Sequence, residues 1–106
     1  MYNIVFSSEA IKDLEETKDY ITEELCNEQS AQKTVSKILK DIRRLSEFPK
    51  SGPVLSSIVD FDMNYRFLVC GNYIAFYRFE DNEIRIVRIL YGRRNFMKIL
   101  FGETQE

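Results

Sequence analysis

The feature that most constrains this chain is a change of hydrophobic period partway along it. Ala10, Leu14, Thr17, Ile21 and Leu25 recur at helical spacing, and so do Ala31, Val35, Ile38, Ile42 and Leu45. From Tyr65 onward the apolar residues are β-branched or aromatic and alternate with polar ones. A helical stripe and a two-residue alternation cannot bury their apolar faces in the same element, so the chain must place two helices against a sheet. With 106 residues it fits a single domain, 1–106, large enough for one core without a metal or disulfide staple.

Local signals place the elements. Residues 2–6 are short, apolar and β-prone, a first strand. Ser7 and Ser8 can cap the helix that follows, and Glu9 suits its first turn. Asp13, Glu16, Asp19, Glu23 and Glu24 are read as its solvated face. Asn27 or Ser30 can cap a second helix, which Pro49 ends. Two helices joined by a few residues form an αα-hairpin. Residues 48–64 read as a long connection, with Val54, Leu55, Ile58 and Val59 available to fold part of it back on the core. Residues 65–70, 73–79 and 83–91 are strands, separated by a tight turn at Gly71–Asn72 and another at 80–82. They form an antiparallel meander. Gly92 breaks the last strand, and residues 93–101 read as a short terminal helix carrying Phe96, Ile99 and Leu100 on one side. The fold class is therefore α+β. The helices cover one sheet face, the first strand joins an edge, and the other face is left open to solvent or a partner.

Composition removes whole classes of chemistry. There is no histidine, which excludes an imidazole base, the serine and cysteine triads that need one, and most zinc sites. The two cysteines, Cys26 and Cys70, are far apart and read as reduced packing residues. No P-loop, dinucleotide fingerprint or metal-ligand spacing is present, and no cofactor is implied. No apolar run approaches the roughly 20 residues that span a bilayer. The first residues lack the features of a signal peptide, so the expectation is a cytoplasmic protein without a membrane partner.

Charge is segregated. Residues 1–64 carry 8 basic and 12 acidic side chains, residues 65–101 carry 7 and 3, and six of those seven are arginine. Arginine suits bidentate contact with carboxylate or phosphate. Arg66 lies in mid-strand, where an arginine is exposed, paired or holding an anion. Tyr91, Gly92, Arg93 and Arg94 place a phenol beside two guanidinium groups at a strand end, an arrangement that can hold a phosphate or serve as a solvated edge. Glu15–Glu16 and Glu23–Glu24 point about 100° apart on a helix and make poor acid/base pairs. Tyr73, Phe76, Tyr77 and Phe79 alternate through both faces of a strand and read as packing rather than a base-stacking platform.

The order L-x-x-F-P-x-x-G (Leu45, Phe48, Pro49, Gly52), Y-R (Tyr65, Arg66), Y-x-x-F-Y (Tyr73, Phe76, Tyr77) and I-R-I-x-x-I-L-Y-G-R-R-N (Ile84, Ile86, Ile89, Gly92, Arg93, Arg94) resembles the RelE/ParE toxin superfamily of bacterial type II toxin–antitoxin modules. The resemblance covers nearly the whole chain. It implies a growth-inhibitory toxin neutralised by a cognate antitoxin that meets Arg66, Arg85, Arg88, Arg93 or Arg94. It implies one of two targets. A RelE-like member is an mRNA interferase acting at the ribosome, and here it would rely on Arg66, Tyr91, Arg93 and Arg94. A ParE-like member poisons DNA gyrase. Tyr91 and Asn95 stand where family patterns often have histidine and aspartate, and a phenol, ordinarily titrating near 10, is a poor base at neutral pH. The pattern D-L-x-x-x-x-D-Y-I, with Leu14, Tyr20 and Ile21, is more ParE-like, and the reading leans to that branch. A third possibility is a member that only binds its antitoxin.

Overall fold

The computed structural model describes residues 1–55, 65–92 and Ile99. Its elements are β1 (Asn3–Phe6), α1 (Ser8–Glu24), α2 (Glu28–Arg43), a 3-10 turn (Arg44–Ser46), β2 (Tyr65–Cys70), β3 (Tyr73–Glu80) and β4 (Glu83–Tyr91). The sheet order is β1-β4-β3-β2, with β1 parallel to β4 and the other pairs antiparallel. The αα-hairpin and the meander stand as the hydrophobic pattern predicts, and the first strand forms an edge. The expected helix at 93–101, with Phe96 and Leu100, lies outside the described residues, as do Ile58 and Val59.

Local chemistry accounts for the element ends. Ser7 accepts the Ala10 N–H at 3.0 Å and caps α1, and Asn27 accepts the Ser30 N–H at 3.0 Å and caps α2. Asp81 and Asn82, at φ 54° and 59°, make the left-handed pair that a two-residue hairpin needs to match strand twist. Gly71, at φ 64°, opens the β2–β3 turn. Between Phe76 and Tyr77 the register slips, leaving Val87 of β4 without an opposite number on β3.

The main core lies between the helices and the sheet. Ala10, Ile38, Ile42 and Leu45 meet Cys70, Ala75, Tyr77, Ile84, Ile86 and Ile89. A smaller cluster of Leu55, Phe76 and Leu90, with Tyr65, Phe67, Ile74 and Ile99 packed against it, occupies the other side. That face is therefore not fully open, contrary to expectation. Residues 53–55 cover part of it: the Phe67 N–H donates to the Pro53 carbonyl at 3.1 Å, Val54 bridges to Arg66, and Leu55 becomes fully buried.

Four other expectations need correction. Leu25 is 62% exposed: it caps α1, its N–H still bonded to the Ile21 carbonyl at 3.1 Å, and its side chain stays outside the core. Helix α2 ends at Arg43, well before Pro49, and tightens into the 3-10 turn that still buries Leu45. Cys26 is exposed, so only Cys70 is a packing residue. Asp13 is buried rather than solvated. Its carboxylate accepts both Nε and Nη2 of Arg88 at 2.8 Å and the Ile89 N–H at 2.9 Å. Strand β1 stops at Phe6, opposite Ile86, so beyond that point β4 has no strand on its outer edge among the described residues. Ser7 satisfies the first groups there, its N–H donating to the Ile86 carbonyl at 3.0 Å and its hydroxyl to the Val87 carbonyl at 2.7 Å. Asp13 satisfies the next. The hydrogen bond to Asp13 raises the Arg88 pKa above its ordinary value, so the guanidinium stays charged throughout the working pH range.

The Pro49–Gly52 turn is locked onto the sheet. The Tyr77 hydroxyl donates to the Pro49 carbonyl at 2.8 Å and accepts the Gly52 N–H at 3.0 Å. A Cβ on Gly52 would sit 2.4 Å from the Phe67 carbonyl oxygen, so only glycine fits.

Three outcomes follow from this packing. Ile38→Ala should lower stability by about 2–5 kcal/mol in denaturant unfolding, because the side chain is 1% exposed in the main core. Asp13→Ala should cost on the order of 3 kcal/mol by leaving a charge and a strand N–H unpaired, with Asp13→Asn recovering part of it. Burial pushes the Cys70 thiol up to about 11. The folded state then holds this proton more tightly than the unfolded chain, so the associated stability is complete below about pH 9 and falls as pH rises toward 11. A thiol reagent at pH 8 should modify Cys26 in the native protein and Cys70 only after unfolding.

Candidate functional site

The middle of α1 and the end of β4 with the start of β3 enclose a groove of about 480 Å³, lined by Asp13, Glu16, Thr17, Tyr20, Tyr73, Ile89 and Tyr91. It exists because β1 is shorter than β4. Where the sheet has lost its edge strand, α1 stands off the last residues of β4, held by Asp13 at one end of the gap. Tyr73 and Tyr91 are cross-strand partners whose rings meet edge to face, centroids 5.6 Å apart. Tyr73 keeps its proton at neutral pH, since burial raises its pKa against a smaller opposing effect of a hydrogen bond with Thr17. Tyr20 is 60% exposed and Tyr91 41% exposed, so aromatic surface is presented to solvent beside the Glu16 carboxylate. Such a groove suits an apolar or aromatic segment of another chain more than a small polar substrate.

Of the described arginines singled out from sequence, Arg66 and Arg85 do not line this groove, and Arg88 reaches it only through Asp13. Arg66 donates to the Gly52 carbonyl at 2.7 Å and the Lys50 carbonyl at 3.3 Å, binding the Pro49–Gly52 turn to β2. Of the three roles open to it, the paired one holds. Its cross-strand partner is Tyr77, whereas that of Tyr91 is Tyr73, on the opposite side of β3. Four residues along a strand and two strand spacings across separate Arg66 from Tyr91 by roughly 16 Å of backbone. Arg88 is engaged by Asp13. Arg85 is on the surface, its guanidinium 2.7 Å from Glu83. Arg93 and Arg94 lie outside the described residues, directly after Gly92 in the chain. Gly92 itself is held by its N–H to the Asn72 carbonyl at 2.8 Å. Among the described residues no group of acidic or sulfur ligands could hold a metal ion, and no helix is long and apolar enough to cross a membrane.

Sequence reasoning missed Asp13 and Thr17 as residues of this site. Asp13 is the first letter of the D-L-x-x-x-x-D-Y-I pattern and sits one place from Leu14, on the rim of the apolar stripe. A carboxylate on that rim was the available signal.

A model of the family described as the ParE toxin of the type II toxin–antitoxin system, parDE, matches residues 4–96. Among solved structures, the chain is similar to one from the chromosomal ParDE TA system of P. aeruginosa, with a TM-score of 0.73 and 25% identity over 86% of this chain and 96% of that one. It shares its fold with a chain of the toxin–antitoxin complex RelBE2 from Mycobacterium tuberculosis, with a TM-score of 0.61 and 19% identity over 85% of this chain and 96% of that one. Comparison with curated proteins gave no match. With the strand, the αα-hairpin, the meander and the Pro49–Gly52 lock all in place, this chain belongs to the ParE toxin family of type II toxin–antitoxin systems.

Proposed function

We propose that this toxin acts on DNA gyrase and is neutralised by a cognate antitoxin. The observation that carries the first part is the roughly 16 Å of backbone between Arg66 and Tyr91. An interferase must bring charge stabilisation and a proton-transfer group to one scissile phosphate. Here Arg66 is bonded to two carbonyls and the phenol stands beside another tyrosine, which leaves Arg93 and Arg94 to supply that charge in a chain with no histidine to move the proton. A gyrase poison needs a binding surface instead, and the family match is in keeping with that.

The groove between α1 and β4 supports the second part. An antitoxin segment with apolar and acidic residues, ordered as it binds, would set its apolar side chains against Tyr20 and Tyr91. Its acids would reach Arg85, Arg93 or Arg94. Arg66 and Arg88 would contribute less, because backbone carbonyls and the buried Asp13 hold their guanidinium groups, whereas the Arg85–Glu83 pair lies exposed on the surface.

Two paired assays test the target. Purified toxin should inhibit gyrase supercoiling and leave mRNA intact in translating ribosomes. Tyr91→Phe should change toxicity by no more than about threefold, whereas loss of a general acid or base would cost about 10²–10⁴. Cleavage of ribosome-bound mRNA that Tyr91→Phe abolishes would replace the gyrase reading with the interferase one. For the partner, Tyr20→Asp should weaken capture of the antitoxin encoded beside this toxin at least tenfold. Unweakened capture would remove the groove from the interface.

A further inference from the structure

Helix α2 carries a second surface that the toxin reading does not use. Lys33, Lys37, Lys40 and Arg44 recur at intervals of four, three and four residues, which puts them along one side of the helix. All four are exposed. Lys37 is 2.6 Å from Asp41, which is buried, and its own side chain stays 59% exposed. Among the described residues Lys33, Lys40 and Arg44 make no ion pair. A shallow groove runs along the three lysines, with Gln29, Gln32 and Ser36 between them, and Arg44 follows in the 3-10 turn that continues the helix. The neighbouring helix is opposite in character, with Glu15, Glu16, Asp19, Glu23 and Glu24 in α1. The hairpin is thus basic along one helix and acidic along the other, although the whole chain is net −2.

We propose that the Lys33–Lys37–Lys40–Arg44 stripe of α2 is a docking surface for the phosphate backbone of duplex DNA. The residue types select this partner over an acidic protein. A protein interface is organised around buried aromatic or aliphatic anchors; the groove along Lys33, Lys37 and Lys40 has none, and the nearest apolar side chains, Phe48, Leu68 and Val69, lie at the Arg44 end only. Lysine with glutamine and serine between is the set that contacts phosphate and sugar without reading bases. The stripe spans about 16 Å at 1.5 Å per residue, a length over which a duplex presents about ten phosphates on its two strands. The acids of α1 repel the same polyanion, so only the α2 side can face it. The contact is sequence-independent, and it is measured without gyrase, so its failure leaves the target assignment where it was.

The test is fluorescence anisotropy of a labelled duplex of roughly 20 base pairs with the purified full chain, titrated at several salt concentrations. Three free cations predict a slope of log K against log salt near −2.7, or about 20-fold tighter binding at 50 mM than at 150 mM salt. The triple variant Lys33→Ala/Lys40→Ala/Arg44→Ala changes only exposed side chains, and an unaltered circular dichroism spectrum checks that it folds. It should lose most of the binding and flatten the slope. Arg93→Ala/Arg94→Ala should retain the binding. No binding at 50 mM salt would overturn the proposal, as would binding that only the Arg93/Arg94 variant abolishes. Competition by polyglutamate as effective as by unlabelled duplex at equal charge would also overturn it, in favour of an acidic protein partner.

Discussion

The carboxylate of Asp13 is the interaction on which the arrangement of helix and sheet depends. It is buried, and it binds three donors on one strand: two from the Arg88 guanidinium and the Ile89 backbone N–H. A strand edge that has lost its neighbour must find partners for its backbone groups or leave them to water. Here Ser7 and Asp13 take over in succession where β1 stops. Ser7 also caps α1, so the residue that ends the strand pairing starts the helix carrying the next partner. The position of α1 on the sheet, and the groove beyond it, follow from that sequence of hydrogen bonds.

A second constraint acts on the far edge. Tyr77, Gly52 and Arg66 hold the turn after α2 against β2 and β3 through three carbonyls, one N–H, one phenol and one guanidinium. These are the residues by which the chain resembles its superfamily at L-x-x-F-P-x-x-G, at Y-R and at F-Y. The motif positions therefore mark a packing device. The exclusion of any side chain at Gly52, and the raised pKa that burial gives Tyr77, both come from how closely the turn approaches the sheet.

Much of this was legible in the sequence because it is periodic or local. The stripe Ala31, Ile38, Ile42 needs only the helical repeat, and the hairpin turns need only Gly71 and the Asp81–Asn82 pair. What was not legible depends on partners remote in the chain. Asp13 looks like any surface acid until Arg88, 75 residues later, is brought beside it. Leu25 fits the stripe by spacing, yet as the cap of α1 it keeps its side chain outside the core. Arg66 left three roles open, and only the return of residues 50–54 to β2 decides between them. The return of Leu55 to the core was legible in its apolar character, but not the sheet face it would cover, since a loop's path is not written in its period.

The pairing of β1 with β4 joins the beginning of the chain to nearly its end, Ser7 donating to a residue 80 positions away. This has a consequence for synthesis. When α1 leaves the ribosome, β4 has not been made, and at bacterial elongation rates of about 5–20 residues per second it is complete roughly 3–13 s later. During that interval the nascent toxin has an αα-hairpin but neither a sheet to support it nor a partner for Asp13. The groove comes into being only with the last strand. A surface that needs Ile89 and Tyr91 cannot be presented before those residues have left the ribosome.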